Sequence, residues 1–166
     1  MDKIEVYHAS SVIVEKPLCG VDRQNLDFGP GFYMTYMYDQ ATMWALRRAG
    51  KMHTRAIVNI YILERKKLLR VANSLIFRRY NRDWLNFVVA CRKGIPVWRD
   101  YDYIEGGVAD DRVIDTVDLY INKLIPERVA LNRLRYVHPN NLICLLNQEL
   151  LDRHLTYVDF TVAKKL

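Results

Sequence analysis

Asp27-Phe28-Gly29-Pro30-Gly31-Phe32-Tyr33-Met34-Thr35 is the stretch on which the fold is decided. Gly29, Pro30 and Gly31 form a strong turn signal, and the aromatic and apolar residues after them are those that fit a pleated, half-buried surface. A glycine turn therefore feeds a strand over 32–36. Upstream, Ile4 and Val6 alternate with charged neighbours across Lys3–His8, the period of a strand, which ends in Tyr7-His8-Ala9-Ser10. Val12–Val14 continues apolar before Pro17 and reads as a second short extended piece.

Beyond the decisive stretch, helical and strand periods alternate. Asp39 caps a helix running through Ala49, with Ala41, Trp44, Ala45 and Arg48 on one side and Gly50 at its end. The β-branched run Ala56–Leu63 reads as a central strand, Glu64–Lys67 as a charged turn, and Leu68–Val71 as a further strand. Asn81 opens a helix in which Trp84, Leu85, Val88 and Val89 recur at helical spacing, closed by Gly94 and Pro96. Tyr101–Glu105 returns to a strand, and Gly106-Gly107 turns the chain into Asp110, a cap for a helix through Lys123. Pro126 starts another helix, which ends before His138. Leu142–Leu146 reads as a buried strand, Gln148–Arg153 as a short helix and Leu155–Val162 as the last strand. No repeat or low-complexity tract interrupts this order, which points to a compact α+β domain.

The 166 residues, 51% hydrophobic and 27% charged, suit one domain spanning residues 1–166. No apolar run approaches the ~18 to 20 residues of a membrane span, and Asp2, Lys3 and Glu5 stand where a signal peptide needs its apolar centre. The expectation is a cytoplasmic protein without a membrane partner. Cys19, Cys91 and Cys144 are odd in number and far apart, which gives neither a disulfide framework nor a C-x-x-C ligand set, and they read as buried small hydrophobes. The net charge of +6 hides a division. Arg47–Arg99 holds 14 Lys or Arg against Glu64 and Asp83, whereas Asp100–Asn122 holds seven acids against Arg112. Either the basic block is a footprint for nucleic acid or an acidic protein, or the two blocks neutralise each other across the fold.

The sequence contains no dinucleotide-binding glycine loop, no H-E-x-x-H, no G-x-S-x-G and no phosphate-binding lysine loop. His53, His138 and His154 lack metal-ligand spacing. Asp102, Asp110 and Asp111 form a carboxylate group that can hold a metal or act as a base; the plainer reading is that Asp110 caps a helix and Asp111 favours its positive end. Trp44, Trp84 and Trp98 suit core or rim packing. A lone histidine at a strand end and a G-x-G turn each have an ordinary structural reading, and their combination is what points to a site.

That combination resembles the ADP-ribosyltransferase-like domains of domain-of-unknown-function family 3990, whose members open with Y-H-G-S and continue with D-F-G-x-G-F-Y-x-T. The A-x-x-W-A of Ala41–Ala45, the run from Tyr101 through Gly106-Gly107 to Ala109-Asp110-Asp111, and the late His138-Pro139-Asn140-Asn141 before an apolar strand follow in the family's order. The resemblance implies an ADP-ribosyltransferase-like split β-sandwich with peripheral helices, and NAD as the substrate. It implies transfer of ADP-ribose to a protein or nucleic-acid acceptor, as in a bacterial toxin or effector countered by an antitoxin or immunity protein.

The site residues so implied are His8, Ala9, Ser10, Phe28, Gly29, Gly31, Phe32, Tyr33, Thr35, Trp44 and Asp110 for NAD, with His8, Tyr33 and Asn141 in catalytic roles. His8 would hydrogen-bond a ribose hydroxyl, and the Ala9 backbone N–H and C=O would pair with the nicotinamide amide. Tyr33 would stack on the ring, Gly29 and Gly31 would admit the pyrophosphate to the backbone, and Thr35 would support the strand. Ala9 stands where the family has glycine. Related enzymes open the strand after Asn141 with Glu or Gln, and here that position is Leu142. Either Asn141 or Asn140 takes its place by a one-residue shift, or the chemistry is altered, or it is lost. The alternatives to an NAD-dependent transferase are a catalytically degenerate NAD- or nucleotide-binding module, and a nucleic-acid-binding domain using the basic 47–99 segment.

Overall fold

The computed structural model describes residues 2–21, 25–108, 111–135, 137 and 140–164. Among them the chain is α+β, with seven strands in two sheets and six α-helices. The strands are β1 (Ile4–Ser10), β2 (Phe32–Met34), β3 (Ile57–Leu63), β4 (Ser74–Ile76), β5 (Tyr103–Gly106), β6 (Leu142–Leu145) and β7 (Leu155–Val162). The helices are α1 (Tyr38–Met52), α2 (Arg65–Val71), α3 (Arg82–Arg92), α4 (Asp111–Ile121), α5 (Glu127–Leu134) and α6 (Gln148–His154).

One sheet has the order β1-β3-β7 and is antiparallel throughout; the other has the order β2-β6-β5-β4, in which only β4 and β5 run parallel. The two are tied where β1 passes the end of β2. Tyr7 donates its N–H to the Thr35 carbonyl at 2.8 Å and accepts from the Thr35 N–H at 3.0 Å.

The side-chain period of two explains the layering. All four residues of β6 are buried. Ile143 and Leu145 meet Val6, Tyr61 and Leu63 of the facing sheet, whereas Leu142 and Cys144 meet the helical side, packing with Trp84, Leu85 and Val88 of α3 and Val117 of α4. Alanines bring α1 close to the outer face of the first sheet, where Ala41 and Ala45 pack on Val58.

Several elements differ from the sequence expectation. Glu64–Val71 is not a turn and a strand: α2 forms there, with Lys67 paired to Glu64 at 2.8 Å across one turn and Leu68 fully buried beneath it. Arg and Lys are good helix formers, and the buried leucine supplies the packing. Val12–Val14 forms no strand; β3 side chains bind it instead, Asn59 Oδ1 accepting from the Val14 N–H at 2.8 Å and the Tyr61 hydroxyl donating to the Val14 carbonyl. The cap of α1 is Met37, with Asp39 inside the first turn, and α1 runs through Gly50 to a left-handed His53. Pro126 is the cap of α5, not its first helical residue. Asn81 caps α3 as read, accepting from the Trp84 N–H at 3.0 Å. The expected cap Asp110 lies outside the described residues, as do Ala109, His138 and Pro139.

The decisive turn is shaped by close packing. Gly29 has φ of 89°, and Trp98 fills the space where its Cβ would stand. A Cβ on Gly31 would overlap Cys144 Sγ and lie 2.5 Å from the Leu145 carbonyl oxygen, which is backbone and cannot turn away. Gly31→Ala should therefore loosen the β2–β6 ladder and cost about 1 to 3 kcal/mol, read as a lower urea midpoint. An unchanged midpoint would mean that β2 shifts freely.

The three cysteines are free, with Cys91 and Cys144 buried and Cys19 half-buried. Burial pushes the Cys19 thiol up to about 11 and the Cys91 thiol up to about 12. No described helix is long and apolar enough to cross a membrane.

Candidate functional site

A cavity of about 600 Å³ is lined by residues of β1, β2 and β6 and of α1, α3 and α4. His8, Ala9, Tyr33, Trp44 and Leu142 line it. The two sequence clusters thus meet in space: His8 Nδ1 lies 2.7 Å from the Tyr33 carbonyl oxygen. A carbonyl can only accept, so Nδ1 carries the proton and the imidazole is held in one tautomer and one orientation. Phe32 adds a ring contact to His8 with centroids 4.3 Å apart.

The Tyr33 hydroxyl is fixed within the glycine turn. It accepts from the Phe28 N–H at 3.0 Å and donates to the Gly29 carbonyl at 2.6 Å. Burial, followed by the charge of neighbouring Cys144, pushes this hydroxyl well above the ordinary phenol range, so it remains a donor and not a base. Tyr33 lines the cleft while its hydroxyl is held in the turn.

The Ala9 backbone is placed by strand alternation. Both polar groups of Tyr7 point toward β2, where they bond Thr35, and β1 runs antiparallel to β3 with Tyr7 opposite Ile60 and Ala9 opposite Val58. In such a ladder residues two apart direct N–H and C=O to the same side. Ala9 therefore presents a donor and an acceptor toward the gap between the sheets, beyond the Tyr7–Thr35 bridge.

The other expected residues stand elsewhere. Ser10, Phe28, Phe32 and Thr35 are buried supports behind the cleft wall. Gly29 and Gly31 have their open faces filled by Trp98 and by Cys144 with Leu145, so both glycines are explained by packing within the turn. Asp110 lies outside the described residues. Asn141 is one residue before Leu142 and so faces away from the cleft. It lines a second cavity of about 290 Å³ with Tyr36 and Glu105. There its side chain accepts from the Tyr36 N–H at 3.0 Å and donates to Glu105 at 3.3 Å, while its carbonyl accepts from Gln40 Nε2 at 2.7 Å. Leu142, only 5% exposed, is the β6 residue that lines the first cleft.

Two groups were not singled out from sequence. The first is a set of cations in the cleft: Arg47, Arg48 and Lys51 of α1, with Arg92 of α3. Arg92 is committed, pairing with Asp27 at 2.7 Å and Asp118 at 3.2 Å. Trp44, Arg48 and Lys51 at helical spacing were the signal. The second is Glu105, which accepts from Arg65 Nη2 at 2.6 Å and Nε at 3.0 Å and from the Tyr103 hydroxyl. Asp102 serves a similar structural end, accepting from the Asn73 N–H and from Asn147 Nδ2, each at 2.9 Å. The basic block is therefore divided. Arg65, Lys67, Arg82 and Arg92 have carboxylate partners, and Arg47, Arg48, Lys51 and Arg92 line the cleft. No group of His, Cys, Asp and Glu suited to a metal occurs among the described residues.

Fold and site together define an α+β protein of two sheets and flanking helices with a cationic, aromatic-lined cleft. Residues 4–157 match the family described as protein of unknown function (DUF3990), and the chain belongs to it. Neither a curated protein nor a solved structure matches the chain significantly.

Proposed function

We propose that the cleft binds NAD and that the chain transfers ADP-ribose from it to a macromolecular acceptor. The observation that carries this reading is the meeting of His8 and Tyr33, from motifs 25 residues apart, through the 2.7 Å Nδ1 contact at the cleft. The edge polar groups of Ala9 support it, because a primary amide needs one acceptor and one donor side by side. Nicotinamide placed there would lie against the Tyr33 ring, with the attached ribose toward His8.

In this reaction the bond between the nicotinamide nitrogen and ribose C1′ breaks, and its electron pair leaves with nicotinamide. The acceptor's nucleophile attacks the oxocarbenium-like C1′ and gives up its proton. The chain's part is to hold both ends of the breaking bond: the fixed amide site retains the leaving group, and a rigid imidazole keeps the ribose from turning. A half-enclosed apolar wall that includes Leu142 limits water, which competes with the acceptor.

Leu142 favours a second reading. It lines the cleft with neither charge nor hydrogen bond where a polar residue would steady the ribose, so the cleft can bind NAD with little turnover. Free nicotinamide and ADP-ribose attached to macromolecules, measured together with NAD affinity, separate the two readings. Affinity with release of nicotinamide supports the transferase, and affinity without release supports the binding module.

The side on which NAD lies is tested by Tyr33→Ala against Tyr36→Ala. Tyr33 lines the cleft and Tyr36 the second cavity. Loss of a buried aromatic contact of about 1.5 to 3 kcal/mol should weaken NAD about 10- to 100-fold in Tyr33→Ala. Tyr36→Ala should leave affinity nearly unchanged in a calorimetric titration. Equal losses would place NAD outside this cleft.

A further inference from the structure

Asn141 and Leu142 are consecutive, and strand alternation places the first at the second cavity and the second at the cleft, so the two cavities stand one residue apart at the opening of β6. In the second cavity, of about 290 Å³, polar groups, aromatic rings and a cation converge. Glu105 Oε2 takes the Arg65 and Tyr103 donors, whereas Oε1 takes one donor, Asn141 Nδ2 at 3.3 Å. A carboxylate oxygen accepts two hydrogen bonds and an amide nitrogen donates two. Glu105 Oε1 and Asn141 Nδ2 therefore each keep one place, an acceptor beside a donor. Tyr36 and Phe77 line the same cavity. Tyr36 is 53% exposed, yet its backbone is pinned by the 3.0 Å bond from its N–H to Asn141 Oδ1, which holds a flat and open ring at the cavity.

The charge of this place is positive. Arg65 already neutralises Glu105, and Arg78 lines the cavity with Arg79 next to it. Both are exposed, and neither has a carboxylate partner among the described residues. A cationic side chain of a protein acceptor would be repelled here, whereas a polyanionic backbone is drawn in.

We propose that the second cavity seats one unpaired base of a single-stranded nucleic acid, with Arg78 and Arg79 on its phosphates. The pairing edge of a nucleobase carries an N–H beside an acceptor atom, which complements Glu105 Oε1 and Asn141 Nδ2, and that edge is open only in an unpaired strand. Tyr36 supplies the stacking face. The inference rests on the transferase reading in one respect, that this strand is the acceptor of ADP-ribose, since a base held here carries its neighbours past the Leu142 end of the cleft.

Fluorescence anisotropy of the full chain with a labelled single-stranded oligonucleotide of mixed sequence, without NAD, tests the seat; the duplex of the same sequence is the comparison. The variants are Tyr36→Ala, Arg78→Gln, Tyr33→Ala and Lys93→Gln, the last an exposed cation outside both cavities, each with a melt to verify folding. The single strand should bind more tightly than the duplex. Tyr36→Ala should weaken it about 5- to 150-fold, the worth of one stacked base. Arg78→Gln should weaken it and reduce the slope of log affinity against log salt by about 0.7, the share of one phosphate contact, and Lys93→Gln should do neither. Tyr33→Ala should leave it unchanged, the reverse of the order expected for NAD. Because no NAD is present, oligonucleotide binding with these losses supports the seat even where NAD fails to bind the same protein. NAD binding without oligonucleotide binding at low salt would keep the NAD reading and overturn the seat. Equal affinity for duplex and single strand, or a Tyr36→Ala variant that binds as wild type does, would overturn it as well. So would a glutamine-containing peptide that binds in place of the oligonucleotide and is weakened by Tyr36→Ala, which would make the cavity a protein-acceptor site.

Discussion

Leu142→Gln should raise the rate of NAD cleavage about a hundred- to thousand-fold while changing NAD affinity little. An amide at this position can hydrogen-bond the ribose as positive charge develops at C1′, and a contact realised mainly in the transition state appears in turnover. Preorganised electrostatic contacts of this kind are worth about 2.7 to 4 kcal/mol. The position suits the experiment, because Leu142 lines the cleft and its backbone is held in the centre of the sheet between β2 and β5. The opposing effect is desolvation of the amide at a site that is only 5% exposed, so a melt must accompany the rate. Brisk turnover by wild type, combined with a Leu142→Gln variant that is only destabilised, would mean that Leu142 is cleft wall. The ribose would then be held from another element.

Glu105→Ala should destabilise the fold by about 3 kcal/mol without a specific loss of NAD affinity. Glu105 is a strand carboxylate with the look of a catalytic acid, yet its oxygens face the second cavity and are occupied. Arg65 approaches through two nitrogens, Tyr103 through its hydroxyl and Asn141 through its amide. Burial, and then the adjacent carboxylate, pushes the Tyr103 hydroxyl well above its ordinary value, which keeps it a donor. Removing the carboxylate leaves the Arg65 guanidinium without its counter-charge and the buried Tyr103 hydroxyl without its acceptor, although Arg65 Nε still donates to that hydroxyl at 3.2 Å. The cost belongs at the lower end for a broken buried pair, because the Arg65 side chain retains 29% exposure and water meets part of its charge. Chemical denaturation reads the loss, and NAD titration of the folded fraction reads the rest. Abolished NAD cleavage at unchanged stability would make Glu105 part of the reaction.

What the sequence disclosed was what local periodicity and single motifs can encode. β1, β3, β6 and β7 follow from β-branched, alternating or continuous apolar runs, and α3 from the Asn81 cap with apolar residues at helical spacing. Charged residues around Leu68 imitate a turn, although their helix is set by a leucine buried under α6 and the first sheet's core. β4, three residues long, is too short to show a period, and it exists because Ser74, Leu75 and Ile76 pair with β5. The joining of the two sheets depends on the Tyr7–Thr35 bridge, a pairing 28 positions apart that no local pattern expresses.

The site was legible in the same uneven way. His8, Ala9, Tyr33 and Trp44 belong to short motifs, and the structure brings them to one cleft. The amide of Asn141 suits the chemistry, but the alternation of β6 sends it to the other cavity while Leu142 faces the cleft. The α1 cations were visible only as part of a basic block. Which of that block's charges meet carboxylates and which line the cleft depends on the three-dimensional arrangement of Asp27, Glu105, Asp118 and Glu127.

A thermal melt of the wild-type chain with and without millimolar NAD, repeated on His8→Ala, tests NAD binding at this cleft most directly. A ligand that binds only the folded state adds about 2.7 kcal/mol at a hundredfold excess over its Kd. NAD should therefore raise the wild-type Tm by several degrees and raise that of His8→Ala markedly less. A wild-type Tm that saturating NAD leaves unchanged, or a shift of equal size in His8→Ala, would contradict it.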